Sequence, residues 1–468
     1  MLFNSIEFIF FFPLVTLLFY LLSQKYRWIH LLLASCVFYM FFVPEYIFIL
    51  LITIIIDYLA GIYIEKSEGK RRKVYLIISI VSTCLVLFVF KYFTFFNENM
   101  VSLSDYFGFY YPKRIFDIIL PIGLSFHTFQ SLSYVIEVYR GKQKAERHFG
   151  LYSLYVMFYP QLVTGPIERP QSLLPQFREF KAFKLQNLVD GLRLILFGLF
   201  VKMVIADNLA PIVDDVYANP ETQNSGTILS AIFFYSFQIY CDFLGYSTIA
   251  VGCAKAMGFS IMDNFKNPYL AKSISEFWQR WHISLSTWFR DYLYFPLGGN
   301  QVKIARWILN ILVVFIVSGI WHGANWTFVI WGALHGLLYL IESLIKKIMP
   351  SREKSETLIS KGLKILFTFV LVSFIWVFFR AENLDHALSI FKAMISNNSL
   401  KSNLDIGSTI WMYLAGFILL DTLLFKTRFD KWCSNIAVPI RWSIYGILIF
   451  MTITSSGVEN YPFIYFQF

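Results

Sequence analysis

The sequence predicts an all-α polytopic membrane protein, and three observations carry that prediction. Hydrophobic residues make up 57% of the 468 positions and charged residues 15%, where a soluble domain carries about 25% charged. Apolar runs long enough to cross ~30 Å of hydrocarbon recur along the chain. Positive charge gathers in alternate loops. With 19% aromatic residues, this excludes a disordered chain, a secreted disulfide scaffold and an ordinary soluble enzyme. The five cysteines, Cys36, Cys84, Cys241, Cys253 and Cys433, lie mostly in apolar runs. They show no CxxC or Cys/His spacing, so neither a disulfide framework nor a metal site is expected. The net charge of +10 fits basic loops facing an anionic leaflet. No basic stripe interleaved with aromatics lies outside the apolar runs, so nucleic acid is not an expected partner.

The elements follow in order. Lys and Arg are absent ahead of the first apolar run and Glu7 stands there instead. That reads as a first span and not as a cleaved signal peptide. Twelve candidate spans cover 5–22, 28–43, 46–64, 75–96, 115–138, 187–206, 227–252, 304–320, 326–345, 360–379, 407–424 and 442–457. With the N-terminus outside, 32 of the 40 Lys and Arg face one side and 5 the other, which makes the first side cytoplasmic. The alternation requires 150–163 to dip in and return. It and 268–300 are therefore expected to be re-entrant or interfacial, and such backbone survives at membrane depth only when buried in protein or lining a wet cavity. No internal repeat suggests a transporter of duplicated halves. The chain reads as one multi-pass domain over 1–468, with its motif-bearing core at about 115–345.

Within 273–300, Ser273 and Glu276 fit a capping box, and Pro296, Gly298 and Gly299 mark a stop. The spacing predicts one helix of about 20 residues between them. Its Trp278, Trp281, Trp288 and Phe289 mixed with Arg280, His282, Ser286 and Arg290 suit either an interfacial anchor or the lining of a cavity entrance. In the second reading Arg280 or Arg290 pairs phosphates, and His282 and Ser286 share a face.

The stretch 319–332 carries Trp321, His322, Gly323, Asn325, Trp326 and Trp331 between two spans. An intramembrane His is costly and marks a candidate functional site. Imidazole suits general-base work near neutrality, and Gly323 permits close approach of backbone or substrate. The competing reading is a packing histidine bonded to a carbonyl. His335, thirteen residues on, lies ~20 Å away along a continuous helix and reads as a packing residue. His127 reads as structural or cavity-lining. His30, His148 and His386 fall in or near loops and read as solvated. Gln130, Tyr134 and Glu137 form one polar helix face by their i, i+4, i+7 spacing. Asp57, Lys91, Asp190, Arg193, Lys202 and Asp242 also lie in apolar stretches, where mutual pairing is the ordinary explanation. Gln130, Tyr134 and Asp242 are the better candidates for a polar tunnel wall, and Arg169 for a phosphate contact or a snorkelling surface residue.

Five stretches together resemble the membrane-bound O-acyltransferase family, and within it the bacterial alginate O-acetyltransferase branch. They are PIGLSFHTFQSLSYVIEVYRG (121–141), FYPQLVTGPIERP (158–170), FQIYCDFLGYS (237–247), NPYLAKSISEFWQRWHISLSTWFRDYLYFPLGGN (267–300) and SGIWHGANWTFVIWG (318–332). The sequence departs from the branch pattern at His127, Leu244 and Thr248. The resemblance implies a ring of about 11–12 helices around a central funnel or tunnel. It implies that His322 is the catalytic histidine, as general base or transient acyl carrier, and that His282 is the second histidine. It implies no resident cofactor, with acyl-CoA, acetyl-CoA first, as co-substrate entering from the cytoplasm.

On this basis the expected activity is O-acetylation of an exported or cell-surface polysaccharide, with an extracytoplasmic SGNH/GDSL-like partner receiving the acetyl group. The setting is a bacterial cytoplasmic (inner) membrane. Gln130, Tyr134, Asp242, Arg280, Arg290, Trp321 and Asn325 are the expected substrate-binding residues. Acceptors of another kind, such as peptidoglycan, teichoic acid or lipid, remain open, as does a polysaccharide or lipid-linked sugar transporter whose aromatics stack on sugars.

Overall fold

The computed structural model describes residues 1–112, 121–163, 165–348, 357–396, 399–404, 407–455, 461 and 463–464. Every regular element among them is helical, and a helix stands at each of the twelve expected spans. Seven helical stretches are long and apolar enough to cross a membrane: Pro44–Lys66, Gly69–Phe107, Ser225–Ala256, Ile304–His322, Trp326–Ile348, Leu358–Arg380 and Val438–Ser455. Ile6–Leu21 and Ser408–Leu423 are apolar but shorter. Gln24–Met40, Leu124–Tyr139 and Leu185–Leu199 have 17, 16 and 15 residues. The predicted start of the fifth span at 115–120, the outer-loop charges Lys113 and Arg114, and 349–356 of a basic loop lie outside the described residues.

The chain packs as two compact units. One comprises Met1–Leu192 with Ala250–Met262, the other Arg193–Ile249 with Asp263–Phe468. In the first unit, intramembrane polarity is resolved by hydroxyls. The buried Asp57 carboxylate accepts from Ser79 Oγ at 2.6 Å and Thr83 Oγ1 at 3.1 Å, so the polar group is satisfied without a counter-charge. The 150–163 segment forms two short helices, Phe149–Met157 and Tyr159–Leu162, buried almost throughout. Thirteen helical residues reach only ~20 Å, too little to cross.

The second unit is organised around the Ile304–His322 and Trp326–Ile348 hairpin. Its helices touch backbone to backbone. A Cβ on Gly332 would meet the Gly319 Cα at 3.3 Å and the Phe315 carbonyl closer still. Small residues are what allow such approach between membrane helices.

The 273–300 segment differs from the single helix its sequence predicts. The capping box is formed, with the Glu276 N–H donating to Ser273 Oγ at 3.1 Å and the Lys272 N–H to Glu276 Oε2 at 2.8 Å. The helix then stops at Arg280 and a second begins at Ile283, running to Phe289. Between them His282 adopts a left-handed backbone, φ 42° and ψ 56°. Trp281, Trp288 and Phe289 are buried in the packed interior and so do not form an interfacial belt.

Candidate active site

The site is built from the end of one helix and the break in another. Ile304–His322 is largely apolar and ends at His322, where Gly323 leaves the helix in an extended conformation. A side chain on Gly323 would strike the Phe328 ring, so glycine is required there. Asn325 caps the return helix: its Oδ1 accepts the Thr327 N–H at 3.0 Å and its Nδ2 donates to the Glu382 carbonyl at 2.7 Å. The reversal therefore fixes His322 at a helix terminus and leaves its imidazole 3% exposed. Its ring lies among Trp321, Trp331 and Phe379, with centroids 4.9, 5.0 and 5.3 Å away.

His282 faces it. Asn264 holds the turn from 18 residues upstream. Its carbonyl accepts the Ile283 N–H at 2.9 Å, its Oδ1 accepts the Ser284 N–H at 3.4 Å, and its Nδ2 donates to Ser247 Oγ at 3.1 Å. A left-handed backbone is uncommon for a residue with a Cβ, though His tolerates it better than most. Such geometry persists only where surrounding structure imposes it. The ring is fully buried and meets Phe243 edge-on at 4.6 Å. Burial pushes this imidazole down to about 3, so it is neutral at ordinary pH.

The His282 and His322 ring centroids are 6.4 Å apart. A ring nitrogen lies only ~1.2 Å from its centroid, so the two rings cannot bond directly at ~2.9 Å, and the gap suits one bridging oxygen. Trp321 lines the same gap, 6.2 Å from His282. His335 also belongs to this aromatic nest. Trp331 lies 5.0 Å from both His322 and His335, because the hairpin folds back what a continuous helix would have kept ~20 Å apart.

Asp242 lies in the same unit and immediately precedes Phe243. It forms a buried triad in which Lys202 bridges Asp207 and Asp242, each at 2.6 Å. Asp242 also accepts the Ile464 N–H at 2.7 Å, and Lys202 donates to the Tyr461 carbonyl at 3.1 Å. Lys202 sits in a π-helical turn, Phe200–Ala206, a deviation frequent at functional sites. The triad is a site feature that sequence spacing alone does not assemble.

The remaining candidates have partners of their own. Arg280 is paired with Glu276 at 2.7 Å and stacks on Phe425 at 4.8 Å. Arg290 is exposed and paired with Asp291 at 3.0 Å. Gln130 and Tyr134 belong to the first unit. The Tyr134 hydroxyl accepts the Glu146 N–H at 2.8 Å, with the ring 4.5 Å from Tyr152. Gln130 Nε2 donates to the Tyr155 carbonyl at 3.2 Å, and Gln130 lines a small cavity with His127 and Gln161. Arg169 donates to Ser133 Oγ at 3.3 Å.

Residues 148–381 match the profile described as MBOAT, membrane-bound O-acyltransferase family. A protein of Azotobacter vinelandii named probable alginate O-acetylase AlgI is 38% identical over 399 residues, which cover 85% of this chain and 78% of that protein. The chain belongs to the membrane-bound O-acyltransferase family. It is an acyltransferase, and both facing histidines fall within the matched region. Among its relatives is also the peptidoglycan O-acetyltransferase of Helicobacter pylori, 34% identical over 437 residues, covering 86% and 81% of the two chains. The teichoic acid D-alanyltransferase of Bacillus subtilis is more distant, 30% identical over 241 residues, with 48% and 60% covered.

Proposed function

We propose that this acyltransferase takes an acetyl group from cytoplasmic acetyl-CoA and passes it across the membrane for O-acetylation of an exported or cell-surface polysaccharide. The observation that carries the proposal is the pair of buried imidazoles set one oxygen apart among aromatic rings. The relatives named for alginate and peptidoglycan acetylation support a sugar polymer as final acceptor, and they cover far more of the chain than the D-alanyl-transferring relative.

In this reading the acceptor hydroxyl enters the gap beside His322. His322 accepts its proton as the oxygen attacks the thioester carbonyl carbon. The C–S bond breaks, the thiolate leaves and takes the proton back from His322, so the transfer is proton-neutral. His282 donates an N–H to the oxyanion of the tetrahedral intermediate, or to the carbonyl before it. Low dielectric around both rings strengthens these contacts. The exposed Arg290 is free to exchange its carboxylate partner for a phosphate of the donor. The first acceptor is the nucleophilic hydroxyl of an extracytoplasmic SGNH/GDSL-like protein, which then esterifies the polymer. The membrane is a bacterial cytoplasmic membrane, a reading supported by the basic loops gathered on one side of it.

The test is His322→Ala in cells, with membrane insertion verified, scored by O-acetyl content of the surface polysaccharide. Loss of at least a hundredfold in transfer is expected. Unchanged acetylation overturns the proposal. A sugar transporter would leave the thioester intact, so release of labelled acetate or transfer from acetyl-CoA by purified protein separates the two classes.

A further inference from the structure

Two non-glycine residues adopt a left-handed backbone among the described residues, Asn267 and His282. They belong to two segments joined by backbone hydrogen bonds. The Lys266 N–H donates to the Arg280 carbonyl at 3.0 Å, and the Ile283 N–H donates to the Asn264 carbonyl at 2.9 Å. Residues 264–266 and 280–283 therefore run past each other in opposite directions. Phe265, in the first segment, packs 5.1 Å from Trp281 and 5.0 Å from Phe243, the ring that meets His282 edge-on. A shift at Asn267 reaches the Lys266 amide one residue away, and through it the Arg280 carbonyl, two residues before His282.

Asn267 itself needs holding. Its φ of 47° and ψ of 63° suit Asn better than most residues. Pro268 follows, however, and a residue before proline is pushed toward extended backbone. Such a conformation persists only where tertiary contacts impose it. Here they come from Asp421, on the helix Ser408–Leu423 and beyond the region 148–381 that matches the family profile. Asn267 Nδ2 donates to the Asp421 carbonyl at 2.7 Å and to its Oδ1 at 2.8 Å. The Tyr240 hydroxyl donates to the same Oδ1 at 3.0 Å. Asn267, Asp421 and Tyr240 are all buried, so little water competes for these bonds.

We propose that Asp421 is a positioning residue for acyl transfer: by pinning Asn267 in its left-handed turn, it fixes the paired segments that present the His282 imidazole to the gap beside His322. This rests on the reading of His282 as the donor to the oxyanion. Placement matters there, because a displacement of about 1 Å by a remote substitution can cost ~10²-fold in rate. Both donors converge on Oδ1, so position 421 requires an acceptor oxygen more than a charge. Asparagine keeps that oxygen and alanine lacks it.

The experiment uses everted membrane vesicles from cells carrying the full-length chain and making the polymer. Labelled acetyl-CoA is supplied at varied concentration, and label entering the polymer is read per inserted chain. Asp421→Ala, Asp421→Asn, Asn267→Gly and His282→Ala are compared with the native chain. Asn267→Gly deletes the tethered amide, while glycine takes the left-handed turn without steric cost. The expected result is a fall in kcat of at least about tenfold in Asp421→Ala and Asn267→Gly, with KM for acetyl-CoA unchanged, and near-native kcat in Asp421→Asn. Native kcat in Asn267→Gly overturns the proposal. So does a loss in Asp421→Asn as large as in Asp421→Ala, or a loss carried by KM. Should Asp421→Ala fail to insert, Asn267→Gly and Asp421→Asn decide by the same criteria. A native rate in His282→Ala refutes the reading of His282 on which the proposal rests; a loss there beside a native Asn267→Gly refutes the tether alone.

Discussion

Replacing His282 by Gly and by Ala separates its backbone role from its chemistry. Both variants remove the imidazole and its edge contact with Phe243; they differ only in how well the new residue tolerates φ 42°. A left-handed backbone costs a residue with a Cβ about 1–2 kcal/mol. Glycine returns part of that through its larger unfolded-state entropy, about 0.4–1 kcal/mol. The Gly variant should therefore be the more stable by on the order of 0.5–1 kcal/mol, a factor of about 2–5 in the unfolding equilibrium. The assay is denaturant titration of both purified variants in the same mixed micelles, followed by near-ultraviolet circular dichroism. Acetyl transfer measured on the same samples should fall by at least ~10²-fold in both. An Ala variant as stable as the Gly variant would refute the strained turn. A Gly variant that still transfers acetyl at the native rate would remove His282 from the chemistry.

Other outcomes follow from the same geometry. His282 is held at about 3 in the folded chain against ~6.5 unfolded, so the unfolded state binds the extra proton and stability falls as pH drops below ~6.5, by ~1.4 kcal/mol per unit at most. Above pH ~6.5 its contribution is constant, and His282→Asn should flatten the acid limb of stability against pH by one proton. Lys202→Met strands two buried carboxylates and should cost about 3–5 kcal/mol, read as loss of folded protein in detergent. Gly332→Ala drives a methyl into the Phe315 carbonyl and should destabilise the hairpin by about 1–3 kcal/mol, seen as a lower midpoint in thermal unfolding.

Hydropathy made the membrane class and the helix positions readable, because an apolar stretch in lipid has few alternatives to helix. The same logic failed where partners were remote. Nothing near His282 signals a break: no Gly or Pro lies between Ser273 and Phe295, and the turn is imposed by Asn264 from outside the motif. Lys202 and Asp207 are five residues apart, yet the Asp242 that completes their triad lies on another helix. His335 is the packing residue its sequence predicts, but it lies close to His322 because Gly323 and Asn325 end one helix and cap the next, where an uninterrupted helix would separate the two by ~20 Å.

The Ile464 amide that meets Asp242 stands 222 positions further along the chain. Until the ribosome has passed that point, the carboxylate lacks this donor and Lys202 lacks the Tyr461 carbonyl. The nascent protein thus carries an incompletely satisfied charged cluster through most of its insertion. Premature termination upstream of Tyr461 would leave that defect permanent.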